Sequence, residues 1–271
     1  MTTFDRPLAV IGGGAMAEAI VLGAQRSGVL AGPVCVADPD EQRRAVFERA
    51  VSSASAAIEW LDAQPGDGVV MLAVKPQMLE AVAREIGDRI GDRLVVSILA
   101  GMTSSRLRVA MGGSCRVVRV MPNTPALISR GTSAVSVSAH ANADDGDAVT
   151  ALFRGVGDVV VHLDESLMDG FTGVAGSGPA YVFYLAEAME RAAAHVGLPK
   201  DQVRAIVAET IAGAAELLRT ADRSPTTLRA RVTSKGGTTA AATGVFDDAG
   251  LSDIIVRAVT AARDRGRQLG T

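Results

Sequence analysis

A glycine-rich turn between an apolar run and a helical pattern constrains the fold more than any other segment. The run Leu8–Ile11 leads directly into this turn, which reads Gly12-Gly13-Gly14-Ala15-Met16-Ala17. The segment matches G-x-G-x-x-A, in which the first glycine allows a tight turn, the second lets a pyrophosphate approach the backbone, and the alanine packs on the sheet. Unpaired amides at the helix start then face the phosphates. We therefore predict that residues 12–17 contact a dinucleotide cofactor, with an ordinary strand–helix turn as the alternative.

Composition argues against several classes of function. The 271 residues carry a net charge of −3 and only 3% aromatic residues, which disfavours a nucleic-acid partner. No apolar run approaches the length that spans a bilayer, so we expect no membrane segment. The residues Met1–Arg6 lack the basic and apolar regions of a signal peptide, so we expect a cytoplasmic protein.

The cysteines and histidines form no metal-binding pattern. Cys35 and Cys115 lie in apolar, strand-like runs, which favours two buried free thiols in a reducing cytosol over a disulfide or a metal pair. His140, His162 and His195 are scattered, and we interpret each as a surface residue or a hydrogen-bonded core residue. We therefore predict no metal site.

The first part of the chain alternates apolar runs with helical patterns. Further apolar runs that predict strands lie at Val34–Ala37, Val69–Val74, Leu94–Ile98, Cys115–Val120, Thr132–Ser138 and Val159–Val161. Helical patterns lie between them at Asp40–Ala50, Gln77–Ile90 and Ala143–Phe153. Continuous apolar strands separated by helices predict a parallel sheet covered on both faces, wound as in a Rossmann domain.

Strand signals end near Asp164. Helical patterns follow at Gly178–Val196, Asp201–Leu218, Pro225–Val232, Gly237–Ala249 and Leu251–Leu269. Asp201 is expected as an N-cap or as a first-turn acid. The first two helices are apolar on most faces, which predicts a homodimer interface. We predict two domains: a Rossmann-like NAD(P)-binding domain over residues 1–163 and an all-helical domain over residues 164–271.

Asp38 stands where the second predicted strand ends. An acidic side chain there accepts hydrogen bonds from the adenosine ribose and repels a 2′-phosphate, which favours NADH over NADPH. Arg43 and Arg44 follow, and they either reach a phosphate or belong to a solvated helix face. The sequence therefore leaves both NADH and NADPH open as the cofactor.

Other strand ends carry residues that suit a ligand, because ligands of open α/β sheets gather at the carboxyl ends of the strands. Lys75 and Pro76 follow the third clear strand, where the lysine either contacts the cofactor or substrate or simply ends the strand. Ser97–Gly101 ends the next strand with small residues where a nicotinamide fits. Asn123 lies between two prolines, in a stiff loop that either positions a ligand or forms a structural turn.

Two glycine-rich segments open helices in the second part of the chain. They read Ala175-Gly176-Ser177-Gly178-Pro179-Ala180-Tyr181 and Val232-Thr233-Ser234-Lys235-Gly236-Gly237-Thr238-Thr239. Successive backbone amides with several hydroxyls at a helix start form a carboxylate or phosphate site. A capped helix N-terminus has the same composition and is the alternative.

In this order, the motifs resemble those of the pyrroline-5-carboxylate reductase family. The matching segments cover nearly the whole chain: the glycine turn, Ala73–Gln77, Arg119–Ile128, Gly176–Tyr181 and Thr233–Thr239. The resemblance implies an α/β Rossmann-like N-terminal domain followed by an all-α C-terminal dimerisation domain, with homodimers that often form rings of dimers. It also implies reduction of the small molecule 1-pyrroline-5-carboxylate to L-proline by hydride transfer from NADPH or NADH, the last step of proline biosynthesis.

The resemblance also implies roles for matching residues. The predicted cofactor contacts, besides the glycine turn and Asp38, are Ala73, Val74, Lys75, Pro76, Leu99, Ala100, Gly101 and Asn123. The predicted substrate contacts are Ser234, Gly236, Gly237, Thr238, Thr239 and Glu165. Two of these are expected to be catalytic: Thr239 would relay a proton to the imine nitrogen, and Glu165 would favour its cationic form.

Two positions depart from the family's pattern. Ala15 replaces a usual asparagine, which removes a polar contact near the cofactor turn, and Lys235 replaces a usual proline, which loosens the substrate loop but adds positive charge. Three alternatives stay open: a reductase of another cyclic imine acid, a relative of the β-hydroxyacid dehydrogenases, and a non-catalytic nucleotide-binding module. The second is disfavoured, because Tyr181–Val196 lacks the lysine that such dehydrogenases carry in their long helix.

Overall fold

An eight-stranded, mostly parallel sheet forms the core of the first part of the chain. The computed structural model describes residues 3–270. Met1, Thr2 and Thr271 lie outside the described part, so the first two residues of the Met1–Arg6 segment considered above are not described. The strands are β1 Leu8–Ile11, β2 Val34–Ala37, β3 Ala50–Val51, β4 Val69–Leu72, β5 Leu94–Ser97, β6 Arg116–Met121, β7 Thr132–Val137 and β8 Val159–His162. Their spatial order is β3-β2-β1-β4-β5-β6-β7-β8.

Helices cover both faces of this sheet. They are α1 Ala15–Arg26, α2 Glu41–Arg44, α3 Ala54–Asp62, α4 Leu79–Ile86, α5 Ser104–Ala110, α6 Ala143–Arg154 and α7 Met168–Phe171. One apolar layer buries Ile20 of α1 and Phe153 of α6, and the other buries Ile58 of α3 and Leu107 of α5. Because both faces are covered, the strands can be continuous apolar runs.

The strand order places a topological switch point beside β1. The chain moves from β1 to β2 on one side and later to β4 on the other, and both neighbours are parallel to β1. Open sheets bind ligands at the carboxyl ends of the strands at such a point. The Rossmann-like prediction is therefore confirmed, and the glycine turn lies at the switch point.

Strand β7 departs from the parallel sheet that the sequence predicts. It runs antiparallel to β6, with Val118 opposite Val137. The connection between the two strands contains two prolines and a 3₁₀ turn over Thr124–Ile128. This connection is too short for the helical crossover that parallel neighbours need. Strand β8 is again parallel to β7, after a crossover through α6.

The predicted helix over Asp40–Ala50 is wrong beyond its first turn. Helix α2 is four residues long, and the chain then returns as β3, which pairs with β2. The bond from the Val36 amide to the Arg49 carbonyl requires extended chain there, and Phe47 is buried in the core nearby. Helices α3 and α5 have no counterpart among the predicted elements.

The rest of the chain is helical, as the sequence predicts. It contains α8 Gly178–His195, α9 Lys200–Thr220, α10 Pro225–Arg231, α11 Thr238–Asp248 and α12 Leu251–Leu269. Asp201 lies in the first turn of α9, and the N-cap position is occupied by Pro199. A π-helical turn over Thr172–Gly176 precedes α8.

Two compact units divide the chain. The sheet unit contains the described residues up to Ser177 together with those from Thr260 onward, and the helical unit contains Gly178–Val259. Residues just after 163 stay with the sheet unit because Met168 is buried in it and the Glu165 carboxylate is bonded within it. The domain boundary at 163/164 remains a prediction.

The helical unit carries many exposed apolar side chains. Ala193 of α8 packs with Val203 and Val207 of α9 in a small core. The large apolar side chains that stay exposed include Val182, Phe183, Tyr184, Leu185, Ile206, Leu217, Leu218, Val245, Phe246, Ile254, Ile255 and Val256. Apolar surface of this extent is typical of an oligomer interface.

Both cysteines are free and buried, which confirms the prediction of unpaired thiols. Burial raises the pKa of the Cys35 and Cys115 thiols, so neither is poised as a nucleophile. Within residues 3–270, no group of three or more His, Cys, Asp or Glu side chains could hold a metal ion. Over the same residues, none of the helices has the length and apolar character needed to cross a membrane.

Candidate functional site

Gly12 leaves β1 in a conformation that suits only glycine. Its φ is +106°, and its amide donates to the Ala37 carbonyl at 2.8 Å. A Cβ on Gly12 would lie 2.8 Å from the carbonyl carbon and oxygen of Ala73. The positive φ and the steric clash therefore both exclude a larger residue at this position.

Gly14 forms the open face of the turn. It is the N-cap of α1, and no side chain within residues 3–270 caps this helix start. A Cβ on Gly14 would have no other described atom within 4 Å, whereas Ala17 is fully buried against the sheet. First-turn amides with an open approach are what a pyrophosphate requires. The turn therefore fits a dinucleotide by its own geometry.

Neighbouring strands end level with the glycine turn. Ile11, at the end of β1, pairs with Ala37 and with Leu72, and Leu72 pairs with Ser97. The predicted cofactor residues that follow these four strands are Gly12–Ala17, Asp38, Ala73–Pro76 and Leu99–Gly101. The structure therefore brings these residues together at one edge of the sheet, beside the switch point.

The segments after β4 and β5 present their residues differently. Lys75 is exposed, just before a 3₁₀ turn that begins at Pro76. Leu99 and Gly101 are buried, and Ala100 is half-buried. Gly101 has a φ of +78° and packs against the backbone of the C-terminal segment. Lys75 and Ala100 are therefore the more accessible of the predicted residues at these two strand ends.

Asp38 is held firmly beside the glycine turn. Its Oδ2 accepts a hydrogen bond from the Gly13 amide at 2.8 Å, and its Oδ1 accepts one from the Asp40 amide at 2.9 Å. Nη1 of Arg43 lies 3.5 Å from Oδ2. The side chain is only 4% exposed. The carboxylate therefore both orients the turn and presents negative charge beside it.

Asn123 bridges two segments of the sheet unit. Its amide nitrogen donates to the Ala175 carbonyl at 3.0 Å, and its amide oxygen accepts from the Thr132 amide at 2.9 Å. The side chain is buried and ties the β6–β7 connection to the π-helical turn before α8. These bonds give Asn123 a structural task, and its contact with a cofactor stays a prediction.

The Glu165 carboxylate gathers three donors. The Ser104 amide donates to Oε1 at 2.6 Å and the Ser104 hydroxyl to Oε2 at 2.7 Å, while Arg119 donates to Oε1 at 2.8 Å. Desolvation acts to raise the pKa of this carboxyl, but the donors of Ser104 and Arg119 outweigh it and hold the pKa below its ordinary value. Glu165 therefore stays ionised at neutral pH.

Glu165 also lines a cavity of about 400 Å³ in the sheet unit. Other polar side chains around this cavity are those of Ser104, Ser105, Arg108, Ser136, Ser138, His140 and Asp164. Hydroxyls beside a guanidinium and two carboxylates suit a small, charged molecule. The predicted glutamate is thus placed where a polar ligand could reach it.

Arg119 and Ser104 are site residues that the sequence patterns do not identify. Arg119 is buried in β6. The one available sequence signal is an arginine flanked by valines inside a predicted strand, because a buried charge needs a partner. Ser104 begins α5 directly after the Thr103 cap, and nothing in its local pattern points to Glu165.

The Thr233–Thr239 segment presents backbone amides at the start of α11. Gly237 is its N-cap in extended conformation, and no side chain within the described residues caps it. Gly236 has a φ of +72°, and the Gly237 amide donates to the Ser234 carbonyl at 3.0 Å. Ser234 is exposed and Thr239 is half-buried. This helix start can therefore bind a carboxylate.

The predicted site residues thus fall into two groups by unit. The glycine turn, Asp38, Asn123 and Glu165 belong to the sheet unit, and the Thr233–Thr239 segment belongs to the helical unit. Each group is complete as a local arrangement: one offers a dinucleotide turn and a paired carboxylate, and the other offers an anion-binding helix start.

Two family models match the chain. Residues 165–269 match the model described as pyrroline-5-carboxylate reductase dimerisation. Residues 7–101 match the model described as NADP oxidoreductase, coenzyme F420-dependent. The first supports oligomer formation through the helical part of the chain, and the second covers the glycine turn and the strand ends around it.

Similar proteins are named pyrroline-5-carboxylate reductase. The one from Haemophilus influenzae is 36% identical over 97% of this chain and 97% of its own length. The one from Synechocystis is 35% identical over 97% of this chain and 98% of its own length. The one from Pisum sativum is 34% identical over 97% of this chain and 95% of its own length.

Solved structures of such reductases share the fold. The pyrroline-5-carboxylate reductase of Coxiella burnetii superposes with a TM-score of 0.85 at 30% identity, over 100% of both chains. The pyrroline carboxylate reductase of Plasmodium falciparum, solved with NADP bound, superposes with a TM-score of 0.88 at 25% identity, over 99% of this chain and 100% of that chain.

Proposed function

The chain belongs to the pyrroline-5-carboxylate reductase family, and from this premise we propose that it reduces 1-pyrroline-5-carboxylate to L-proline with NADPH or NADH, the last step of proline biosynthesis. The observation that carries the proposal is a pair of glycine-led helix starts, at Gly14 and Gly237, which no side chain caps within the described residues. The first suits a pyrophosphate and the second suits the carboxylate of a small acid. The chain therefore has a binding element for each reactant.

The cofactor roles follow from the level strand ends. Gly12–Ala17 bind the pyrophosphate through the amides of α1, and Asp38 binds the adenosine ribose. Ala73–Pro76 and Leu99–Gly101 line the nicotinamide side, and Asn123 holds the adjoining loop. The support is geometric: the first four segments leave the same edge of the sheet, at its switch point.

The substrate roles fall to the start of α11. The amides of Gly236 and Thr238 bind the carboxylate, with the hydroxyls of Ser234 and Thr239 beside them. Gly237 shapes this turn, because its amide donates to the Ser234 carbonyl. The residue that departs from the family's pattern, Lys235, is exposed in this turn. Its charge favours the approach of an anionic substrate.

The chemistry needs orientation more than a dedicated acid. When bound, the reduced nicotinamide supplies a hydride. The imine carbon of the substrate accepts that hydride, the π pair of the C=N bond becomes the lone pair of the nitrogen, and the nitrogen keeps the proton that it gained beforehand. Fixing the ring in one orientation can remove several kcal/mol from the barrier. The helix start at Gly237 provides that orientation.

Glu165 acts as a fixed anion and not as a proton donor. Its donors keep the pKa below the ordinary value, so the carboxyl carries no proton to give at neutral pH. A fixed carboxylate favours the protonated, cationic imine, which is the better hydride acceptor. The proton reaches the nitrogen from water or through the Thr239 hydroxyl.

The proposed assembly is a homodimer built through the helical part of the chain, and the family resemblance further implies rings of such dimers. The support is the match to a dimerisation family model and the exposed apolar side chains of the helical unit. A cytoplasmic location agrees with two free, buried cysteines, because free thiols are typical of a reducing compartment.

Steady-state oxidation of NADH and NADPH by the purified protein tests the function. The assay compares pyrroline-5-carboxylate with a six-membered cyclic imine acid at equal concentrations. Without an imine, we expect no oxidation of either cofactor. With an imine, we expect the kcat/KM for pyrroline-5-carboxylate to exceed that for the six-membered imine acid. A preference for the six-membered ring would instead indicate a reductase of another cyclic imine acid. Nucleotide binding without turnover of either imine would indicate a non-catalytic module.

A further inference from the structure

We propose that this chain selects NADH over NADPH at a carboxylate-lined recess beside the glycine turn. The proposal rests on the proposed function only in requiring that a nicotinamide dinucleotide binds. The recess has a volume of about 290 Å³, and the residues that line it include Gly13, Gly14, Glu18, Asp40 and Arg43. It therefore lies between the pyrophosphate turn and the segment after β2, where the adenosine ribose of a Rossmann cofactor binds.

Three carboxylates lie in or beside this recess. Asp40 and Glu18 line it. Asp38 lies next to its Gly13 edge, where the Gly13 amide donates a hydrogen bond to Asp38 Oδ2 at 2.8 Å. The Asp38 carboxylate cannot swing away from an incoming phosphate, because the Asp40 amide holds its other oxygen at 2.9 Å. Its position beside the ribose is therefore set by the backbone.

The two nearby arginines, Arg43 and Arg44, already interact with groups of the protein. Arg43 lies 3.5 Å from Asp38 Oδ2 and 3.7 Å from Asp40 Oδ2, so two carboxylates share one guanidinium. Nη1 of Arg44 donates to the carbonyls of Asp38 and Pro39 at 2.9 and 2.8 Å. Arg44 therefore braces the backbone after β2, and the recess keeps an excess of carboxylates.

The two cofactors meet this recess differently. A ribose with a free 2′-hydroxyl can donate a hydrogen bond to a carboxylate. A 2′-phosphate offers no such donor and brings a charge of roughly −1.5 to −2. Like charges at short range repel. The relative from Plasmodium falciparum was solved with NADP bound, so this selection would set the present chain apart.

Titration of the full chain with NADH and with NADPH, without any imine, tests the proposal. Binding is followed by nicotinamide fluorescence, and we expect the Kd for NADPH to exceed that for NADH by at least about tenfold, which corresponds to about 1.4 kcal/mol. Asp38→Asn removes the charge and keeps one acceptor oxygen. In this variant we expect the NADPH/NADH ratio of Kd to fall, mainly through tighter NADPH binding.

Two further variants keep the test decisive if Asp38→Asn folds poorly. Asp40→Asn retains a residue that caps α2 well and removes one charge from the recess, so it should also lower the ratio. Asp88→Asn makes the same charge change at an exposed site in the turn after α4, and it should leave the ratio unchanged.

Equal or tighter binding of NADPH by the parent protein would overturn the proposal, as would an unchanged ratio in folded Asp38→Asn and Asp40→Asn variants. Because no imine is present, this failure is distinct from failure of the proposed function. Turnover of the imine without nucleotide selection would reject only the recess. Nucleotide selection without turnover would support the recess and reject only the reductase.

Discussion

Arg119 donates to the Glu165 carboxylate at 2.8 Å, across 46 residues of chain. Ser104 adds two more donors from the start of α5. Desolvation alone would raise the pKa of Glu165, but these donors lower it overall. The residue that the family resemblance marks as catalytic is therefore ionised at neutral pH, and its position depends on β6 and α5.

Glu165→Gln tests this electrostatic role. A carboxyl with a lowered pKa titrates below the range of activity assays, so it contributes charge and no proton transfer there. We expect kcat/KM for the imine to fall by about tenfold or more, while the shape of the pH–rate profile between about pH 6 and pH 9 stays that of the parent. Loss of a basic or acidic limb in the variant would contradict the fixed-anion role.

Asp145→Asn probes the buried charge cluster that ties α6 to the chain before β1. Asp145, with a side chain only 3% exposed, binds Arg6 at 3.0 Å and Arg116 at 2.8 Å. Desolvation opposes its charge, but these arginines hold its pKa below the ordinary value. The interaction of Asp145 with the two arginines therefore stabilises the folded protein above the pKa of the unfolded carboxyl. That stability is lost as the pH falls through the folded pKa.

Urea unfolding at pH 7 should show a loss of about 3 kcal/mol in the free energy of unfolding of Asp145→Asn. The gap from the parent should narrow as the pH falls below the unfolded carboxyl pKa of about 3.9, because the unfolded parent then binds a proton that the folded Asp145 still resists. Asp67→Asn is the matched control: Asp67 binds the same two arginines but is half-exposed, so its loss should cost about 1 kcal/mol or less. Equal losses for both variants would contradict the role of burial.

Gly14→Val should abolish dinucleotide binding without harming the fold. A Cβ on Gly14 meets no other described atom within 4 Å, so the substitution adds bulk only on the face where a pyrophosphate would approach. We expect the Tm to stay within a few degrees of the parent, with fluorescence titration showing little or no NADH or NADPH binding. Parent-like titration would reject the glycine turn as the cofactor site.

Gly12→Ala is the contrast that makes the Gly14 result interpretable. Gly12 combines a φ of +106° with a Cβ position 2.8 Å from the Ala73 backbone. We expect it to destabilise the protein by about 2 kcal/mol or more, so that the change appears in urea unfolding and not only in cofactor titration.

Thr239→Val tests the proposed proton relay. The change removes the hydroxyl at nearly constant volume, and we expect kcat to fall by about 10²-fold with a smaller change in KM. Thr243→Val is the control one turn further along α11, because the Thr243 hydroxyl donates back to the Thr239 carbonyl. An unchanged kcat in Thr239→Val, with Thr243→Val equally active, would remove Thr239 from the mechanism.

The fold was predictable where local chemistry decides it. Gly12, Gly14 and Ala17 are small residues at positions where the dinucleotide-binding turn has no room for larger ones, so the motif alone identifies them. The continuous apolar strands likewise indicate a sheet covered on both faces. Helices α3 and α5 were not predicted, because they are short and their clearest sequence signals are single N-cap residues, Ser53 and Thr103. Caps of this kind also occur in ordinary turns.

Other features depend on contacts that a sequence pattern does not contain. The helical pattern after Asp40 continues in the sequence, but pairing of β3 with β2 ends the helix after one turn. The antiparallel direction of β7 follows from the short, proline-containing connection after β6. Tertiary pairing therefore overrides helical propensity after Asp40, whereas the length of the connection sets the direction of β7.

In the candidate site, too, local motifs were predictable and long-range contacts were not. The cofactor turn is local, and its residues could be named one by one. Glu165 was identified only through the family resemblance, since its partners Arg119 and Ser104 are distant in sequence. The two oxygens of Asp38 are likewise committed to backbone amides, which no strand-end motif reveals.

Transfer of a label tests the central claim most directly. The purified protein is incubated with pyrroline-5-carboxylate and reduced cofactor that carries deuterium at the transferable C4 position, and the product is analysed by mass spectrometry and NMR. The account predicts L-proline with a single deuterium at the former imine carbon. Proline without deuterium, or no proline from protein that binds the cofactor normally, would contradict it.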